Sequence, residues 1–262
     1  MEFSIDDAVN FIKGSASNPD IYTRQQIAQA VDLIVEYTRL MYEQEAVSYE
    51  NLRGTEISSD DLRMNQMLLE AVRRRVSLGL IRLPAAARWR LLDVGAGYGR
   101  DTRFFSIEPD IVVSALDNCL PLLDTLRKRK ESGEIVIDQI IDADMRDISM
   151  IGSSSFECVR NYATLHHVPL APYGLGADSV ISETRRVLVH GGVFQCLVKK
   201  GSGVAMTDTG EGLGRRFYQF FNEHSLSQLL ERHSLEPFEC ETFLEPRPSG
   251  IVEWIMMLSY AR

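Results

Sequence analysis

Cysteines, long apolar runs and a targeting signal are scarce or missing in this sequence. Only four of its 262 residues are cysteine, and none has the Cys-x-x-Cys spacing of metal or redox motifs. We therefore expect reduced, structural thiols and no metal site. No apolar run approaches the roughly 18 residues that a membrane-spanning helix needs, and residues 1–7 lack the positive and apolar segments of a secretory signal. These absences predict a cytoplasmic protein without a membrane partner.

Positive charge is also in short supply. The chain has 28 Lys and Arg residues against 37 Asp and Glu residues, a formal net charge of −9. Because nucleic-acid binding needs a positive surface to neutralise phosphates, this balance argues against a nucleic-acid partner. An apolar fraction of 45% and a charged fraction of 25% are those of an ordinary globular protein. The chain is long enough for one sizeable core.

The most informative segment that is present is residues 90–99, RLLDVGAGYG. An apolar strand reaches Asp93, and glycines follow at alternate positions, Gly95, Gly97 and Gly99. Glycine lets the backbone turn sharply and approach a ligand closely, and a strand that turns into a helix in this way opens a nucleotide-binding unit. The spacing is G-x-G-x-G and not the G-x-G-x-x-G of dinucleotide-binding enzymes. An NAD-dependent oxidoreductase is therefore the weaker interpretation.

Two further apolar runs lead into acidic residues. Residues 111–116 precede Asp117, and residues 135–141 precede Asp144. An acidic residue about 20 positions beyond such glycines binds the ribose hydroxyls of adenosine-containing cofactors. We therefore expect Asp117 to hold the ribose of such a cofactor beside the glycine turn.

In order and spacing, these motifs resemble class I S-adenosylmethionine (SAM)-dependent methyltransferases. The resemblance runs through residues 88–200 and includes the Asp144-Met145 pair and the helix and turn of residues 183–192, in which His190 replaces the usual proline. It implies a Rossmann-like α/β fold, doubly wound around a seven-stranded sheet that is mostly parallel with the last strand antiparallel. It implies SAM as cofactor and S-adenosylhomocysteine as product, with cofactor contacts from Asp93, Gly95, Ala96, Gly97, Asp117, Asn118, Asp144, Met145 and Asn161. Asn118 departs from the family, which usually has an apolar residue there to pack on adenine.

We divide the chain into a helical cap over residues 1–80 and a methyltransferase core over residues 81–262. A helix is predicted from residue 59 to 76, and residues 48–58 are predicted to be an irregular connection. Five glycines within residues 199–216 predict a flexible, substrate-facing loop. The cap and this loop are interpreted as a lid over the transferable methyl group, the alternative being that the first helices only cover the sheet.

Candidate acceptor-site residues follow from side-chain chemistry. His166 and His167 come after the fourth strand, where an imidazole with a pKa near 6.5 suits a general base; the alternative is a packing role. Arg215 and Arg216 suit recognition of an anionic acceptor, or form a charged helix entry. The remaining candidates, which contact the acceptor or the SAM carboxylate unless they are ordinary surface residues, are Tyr42, Tyr49 and Arg53.

The leading functional hypothesis is methyl transfer from SAM to an O or N atom of a small molecule, in biosynthesis of a natural product. A SAM-binding protein without transferase activity and a methyltransferase with a protein acceptor stay open as alternatives. The sequence is compatible with a homodimer and does not identify the acceptor.

Overall fold

A computed structural model describes residues 4–84, 87–208, 214–247 and 250–262. Within these ranges the helices are α1 (Ile5–Ser17), α2 (Arg24–Gln44), α3 (Ala46–Arg53), α4 (Ser59–Ser77), α5 (Arg100–Ser106), α6 (Leu120–Glu131), α7 (Ala177–Val187) and α8 (Glu223–Arg232). The strands are β1 (Trp89–Val94), β2 (Ile111–Asp117), β3 (Gln139–Asp142), β4 (Phe156–Tyr162), β5 (Leu170–Ala171), β6 (Leu175–Gly176), β7 (Leu188–Lys199), β8 (Val204–Asp208), β9 (Arg215–Gln219), β10 (Leu235–Arg247) and β11 (Gly250–Ala261). No described helix is both long and apolar enough to cross a membrane.

Seven of these strands form one sheet in the order β10-β11-β7-β4-β1-β2-β3. The neighbours from β7 to β3 pair in parallel, whereas β11 runs antiparallel to both β7 and β10. The predicted seven-stranded sheet, with its last strand antiparallel, is confirmed. The strand order reverses beside β1, and this reversal leaves a crevice at the carboxyl ends of the strands.

Both faces of the sheet are covered because the central strands are apolar on both sides. Leu91 packs with the apolar side of α4, and its neighbour Leu92 packs on the opposite face with α7 and α8. This alternation follows from the two-residue period of a strand. Helix α4, which the predicted division at residue 80 assigns to the cap, thus packs on the sheet.

The cap consists of the helices before α4. Ser4 with Asp7, and Thr23 with Gln26, form capping boxes that fix the first turns of α1 and α2. The apolar faces of the two helices pack together and against Phe217 of β9. This contact joins the cap to the segment that follows the central strands.

Three local predictions need correction. Residues 48–58 are not all irregular, because α3 extends to Arg53 before the turn at Gly54. The predicted flexible loop over residues 199–216 contains β8 and the start of β9, which pair as an antiparallel hairpin; residues 209–213 lie outside the described residues. Strand β3 begins only at Gln139, since Ile135 and Ile137 pack beside α6 instead.

Candidate active site

One cavity of about 410 Å³ lies at the carboxyl edge of the parallel strands. Its lining comes from the turns after β1, β2, β3 and β4, from the end of β7, and from α2, β9, β10 and β11. A cleft at this edge is where open α/β sheets bind ligands. Because the sheet order separates β1–β3 from β7, β11 and β10, the cavity has two ends with different chemistry.

The glycine turn forms the floor of the first end. Gly95 has a φ of +75°, and a Cβ added there would lie 2.2 Å from Thr164 Oγ1. Only glycine combines that backbone conformation with that close approach. Gly95, Ala96 and Gly97 all line the cavity.

Asp117 at the end of β2 is held by backbone donors. Its carboxylate accepts N–H groups from Gly97 at 2.8 Å, Asn118 at 2.8 Å and Cys119 at 2.9 Å. Burial raises the pKa of Asp117 above its usual value, while these three donors oppose the shift. The side chain is partly exposed to the cavity. Of the about four acceptor positions of a carboxylate, these donors use three, which leaves Oδ2 able to accept from a ribose hydroxyl. Asn118 lies beside it on the cavity wall.

Asp144 after β3 carries an unexpected partner. Arg146, two residues later, donates its backbone N–H and its guanidinium N–H groups to this carboxylate, the shortest contact being 2.7 Å. The same guanidinium reaches Asp32 on α2 at 2.7 Å. Asp144 keeps about a third of its side chain exposed and lines the cavity with Met145. Arg146 thus joins the expected adenine position to the cap.

Two predicted cofactor residues have internal partners. Asp93 lines the cavity floor, but its carboxylate accepts from Thr102 Oγ1 at 2.7 Å and from Arg160 Nη1 at 3.0 Å. Asn161 is fully buried. Its side-chain oxygen accepts from the Leu165 N–H at 2.8 Å, and its amide donates to the Met145 sulfur at 3.4 Å. Asn161, predicted to contact the cofactor, thus fixes the turn after β4 and does not line the cavity.

The second end of the cavity contains a chain of three hydrogen bonds. Arg216 Nη1 donates to Tyr42 Oη at 3.0 Å, and Tyr42 Oη lies 2.9 Å from His167 Nε2. His167 Nδ1 lies 2.8 Å from the carbonyl oxygen of Phe217. Because a carbonyl only accepts, Nδ1 carries the imidazole proton, so Nε2 accepts from the Tyr42 hydroxyl. Burial, assisted by the charge of Arg216, lowers the pKa of His167 to about 3, and the ring is neutral.

The other predicted base, His166, lines the same end. Its pKa lies well below the ordinary value because the ring is buried, with His167 as the next cause. Nδ1 is enclosed by protein and has no hydrogen-bond partner among the described residues. His166 packs against Tyr218 and Trp254, with ring centroids 5.5 and 5.6 Å away. These contacts favour the packing role that was the alternative for this residue.

The two adjacent arginines of β9 point in opposite directions, as consecutive strand residues do. Arg216 is 3% exposed and lines the cavity. Arg215 donates to Asp6 of α1 at 2.9 Å, with half of its side chain exposed. Of the two arginines predicted to bind the acceptor, only Arg216 lines the cavity. Tyr49 and Arg53 do line the cavity, with the guanidinium 5.8 Å from the Tyr49 ring centroid.

A continuous set of rings lines this end, which we call the aromatic wall. Its successive centroids are 4.5 to 6.5 Å apart. Sequence reasoning missed three of its members, which come from β9, β10 and β11. Phe243 pairs with Trp254, and Trp254 with Lys199, in direct register across three strands, so these side chains share one face of the sheet. The aromatic wall consists of Tyr42, His166, His167, Tyr218, Phe243 and Trp254.

Among the described residues, no group of three or more His, Cys, Asp or Glu side chains is placed to hold a metal ion. The donors at the first end are carboxylates and backbone groups suited to an adenosine. Those at the second end are aromatic, phenolic and cationic.

Comparison with known proteins identifies a methyltransferase family and methyltransferases among the similar structures. Residues 92–196 match the family described as a methyltransferase domain. No curated protein sequence matches the chain significantly. Among solved structures, the 1,6-didemethyltoxoflavin-N1-methyltransferase of Burkholderia thailandensis is similar, with 21% identity, a TM-score of 0.54, and coverage of 87% of this chain and 90% of that one. That enzyme was crystallised with 1,6-didemethyltoxoflavin and S-adenosylhomocysteine.

Two further similar structures have different activities. The [4+2]-cyclase SpnF has 13% identity and a TM-score of 0.59, over 91% of this chain and 96% of that one. A phosphoethanolamine N-methyltransferase of Haemonchus contortus, solved with phosphomonomethylethanolamine and S-adenosylhomocysteine, has 13% identity and a TM-score of 0.58, over 86% of this chain and 60% of that one. At these identities the similarity establishes a shared fold.

Proposed function

We propose, from the match of residues 92–196 to a methyltransferase domain, that the chain is a class I SAM-dependent methyltransferase that methylates an oxygen or nitrogen atom of a small molecule in a biosynthetic reaction. The observation that carries this proposal is that one cavity is lined both by Asp117 and by the Tyr42–His167 pair. One end fits the cofactor and the other holds groups able to receive a proton.

At the first end we assign the adenosyl group to the carboxylates. Asp117 would accept from the ribose, and Asp144 with Met145 would contact the adenine edge. The turn at Gly95 and Gly97 would hold the methionine tail. SAM, when bound, supplies a methyl group already activated by the sulfonium. The protein's part is to orient the acceptor in line with that methyl group and to keep water away.

At the second end an acceptor must lose a proton as it is methylated. Tyr42 and His167 are hydrogen-bonded at 2.9 Å, and the neutral Nε2 of His167 is the proton acceptor of that pair. Arg216 orients the Tyr42 oxygen through its 3.0 Å hydrogen bond. General-base help of this kind contributes about 10²–10⁴-fold to a rate.

We also propose that α1, α2 and the β8–β9 hairpin together act as the lid. Val35, Thr38, Arg39 and Tyr42 of α2 line the cavity, and the cap packs on Phe217 of the hairpin. A cover placed there excludes water from the sulfonium and holds the acceptor in its approach.

A small acceptor is supported by the similar structures, since the acceptors bound in two of them are small molecules. Another similar structure is that of a cyclase. Because one fold hosts several functions, a SAM-binding protein without methyl transfer is retained as the alternative.

The test begins with binding of S-adenosylhomocysteine to the purified chain by calorimetry. The protein is then incubated with methyl-labelled SAM and a cell extract separated into small-molecule and protein fractions. We expect label in the small-molecule fraction, and none when boiled enzyme is used. Binding without labelling of either fraction would support the non-catalytic alternative, and labelling of protein alone would support a protein acceptor.

A further inference from the structure

We propose that the acceptor is a planar aromatic alcohol, whose hydroxyl proton passes to Tyr42 Oη as Tyr42 passes its own proton to His167 Nε2. This inference rests on the proposed function and adds the class of the acceptor and the residue that touches it. It follows from the aromatic wall and from the hydrogen bonds of Tyr42.

The aromatic wall favours a flat ligand. Its rings come from five separate parts of the chain and meet at one end of the cavity. Phe243 and Trp254 are nearly parallel, at an interplanar angle of 18° and a centroid distance of 6.5 Å. Aromatic rings pack with offset or edge-to-face geometry at such distances, with a gain beyond simple burial. A planar ring is the ligand that such a wall accommodates best.

The imidazole of His167 has no nitrogen left for the acceptor. Nδ1–H is bonded to the Phe217 carbonyl, and Nε2 receives the Tyr42 hydroxyl. Tyr42 Oη, in contrast, has two lone pairs, of which Arg216 uses one among the described residues. The second lone pair is available to a hydrogen-bond donor in the cavity. Tyr42 is therefore the residue that contacts the acceptor, and His167 acts through it.

The transfer balances in atoms and charge. The acceptor oxygen forms a bond to the methyl carbon, and the carbon–sulfur bond of SAM breaks with its electron pair left on sulfur. The hydroxyl proton of the acceptor moves to Tyr42 Oη, and the proton already on Oη moves to His167 Nε2. The products are the methyl ether, S-adenosylhomocysteine and an imidazolium, which returns its proton to solvent after release.

The transfer of a proton through Tyr42 to His167, which we call the relay, ends on a weak base, and this distinguishes a hydroxyl acceptor from an amine acceptor. With a pKa of about 3, His167 does not take a proton from a resting hydroxyl or from a methylated ammonium. It does take the proton of a hydroxyl that is being methylated, because the developing oxonium is strongly acidic. The relay is thus matched to proton transfer that accompanies methyl transfer to oxygen.

Matched probes test the class without knowledge of the natural acceptor. The enzyme saturated with S-adenosylhomocysteine is titrated with 2-naphthol, 2-methoxynaphthalene, 2-naphthylamine and the saturated alcohol decahydro-2-naphthol. We expect 2-naphthol to bind about threefold to tenfold more tightly than the methyl ether, the gain of one neutral hydrogen bond. It should also bind more tightly than the amine and the saturated alcohol.

Two variants test whether Tyr42 is the residue that contacts the acceptor. Tyr42→Phe should remove the preference of 2-naphthol over its methyl ether and leave the affinity for the ether unchanged. Tyr37→Phe, on the same helix but not part of the cavity lining, should keep the preference. Affinity for S-adenosylhomocysteine, measured in every variant, reports that the protein is folded.

The outcomes separate this inference from the function on which it rests. Equal binding of 2-naphthol and its ether, a preference that survives Tyr42→Phe, or equal binding of the amine would overturn the hydroxyl assignment. Equal binding of the saturated alcohol would overturn the aromatic assignment. Failure of S-adenosylhomocysteine itself to bind would instead remove the proposed function.

Discussion

Arg160 donates to Asp93 at 3.0 Å beneath the glycine turn, and each side chain is only 2% exposed. Arg160 also contacts Asp101 at 3.4 Å, Asn65 at 3.1 Å and Gln195 at 3.2 Å. Its guanidinium therefore ties β4 to β1, to α4 and to β7 at the base of the cavity. A buried charge of this kind is tolerated because each of the three guanidinium nitrogens has a partner.

Removing this guanidinium should destabilise the protein strongly. Arg160→Met leaves the buried Asp93 carboxylate without its cation, whereas Asp101 keeps its ion pair with Arg100; the loss at Asp93 lowers the free energy of unfolding by about 3–5 kcal/mol. Arg127→Met, which breaks the exposed pair with Asp124, should cost less than about 1 kcal/mol. Urea unfolding compares the two. Equal costs would show that the buried pair has no special role, and the double variant Asp93→Asn, Arg160→Met should recover part of the loss.

Gly95 and Gly133 offer a matched comparison of backbone strain and steric conflict. Their φ angles are +75° and +76°, but only Gly95 has a close neighbour, the short β-branched Thr164. Gly133→Ala should cost about 1–2 kcal/mol for the left-handed conformation alone, and Gly95→Ala about 1–3 kcal/mol more. Gly95→Ala should also weaken S-adenosylhomocysteine binding in calorimetry. Equal unfolding free energies would contradict the packing seen at Thr164.

Asp117 should control cofactor affinity. Asp117→Ala removes the carboxylate assigned to the ribose and should weaken S-adenosylhomocysteine binding about tenfold to a hundredfold, the value of hydrogen bonds to a charged group. Asp138→Asn, at an exposed position just before β3, provides the control. An Asp117→Ala protein that binds with unchanged affinity would move the cofactor out of this end of the cavity.

The buried histidines should make stability depend on pH. His167 has a pKa lowered from 6.5 to about 3 in the folded protein, so between these values the unfolded chain binds a proton that the folded chain does not. Stability is then full above pH 6.5 and is lost as pH falls toward 3, by up to about 1.4 kcal/mol per pH unit. His167→Gln should flatten the slope of unfolding free energy against pH by about one proton. The exposed His224→Gln should not, and an identical slope in both variants would contradict the buried, neutral state of His167.

The sheet was predictable because its signals are local. The apolar run into Asp93 with its glycines, and the acidic residue at Asp117, mark strand ends directly in the sequence. The β8–β9 hairpin could not be predicted in this way. Its glycines indicated a loop, and the pairing of its two strands becomes visible only in the folded structure. Likewise the sequence could not tell Arg215 from Arg216, because which of two neighbours faces inward depends on the side that the strand presents.

The aromatic wall was missed for a related reason. Trp254 and Phe243 lie side by side because of the register between neighbouring strands. No spacing within the sequence reveals that register. Asn161 was assigned to the cofactor from its place in a motif, whereas its actual partners, the Leu165 backbone and the Met145 sulfur, are set by how the chain turns after β4.

The hydrogen-bond chain at the acceptor end draws Arg216 from the hairpin, Tyr42 from α2 and His167 from the turn after β4. On the proton route that we propose, withdrawal of any one of these three segments would separate the acceptor from its base. A water molecule that reached the sulfonium at such a moment would then find no assembled base, and hydrolysis of the cofactor would be suppressed.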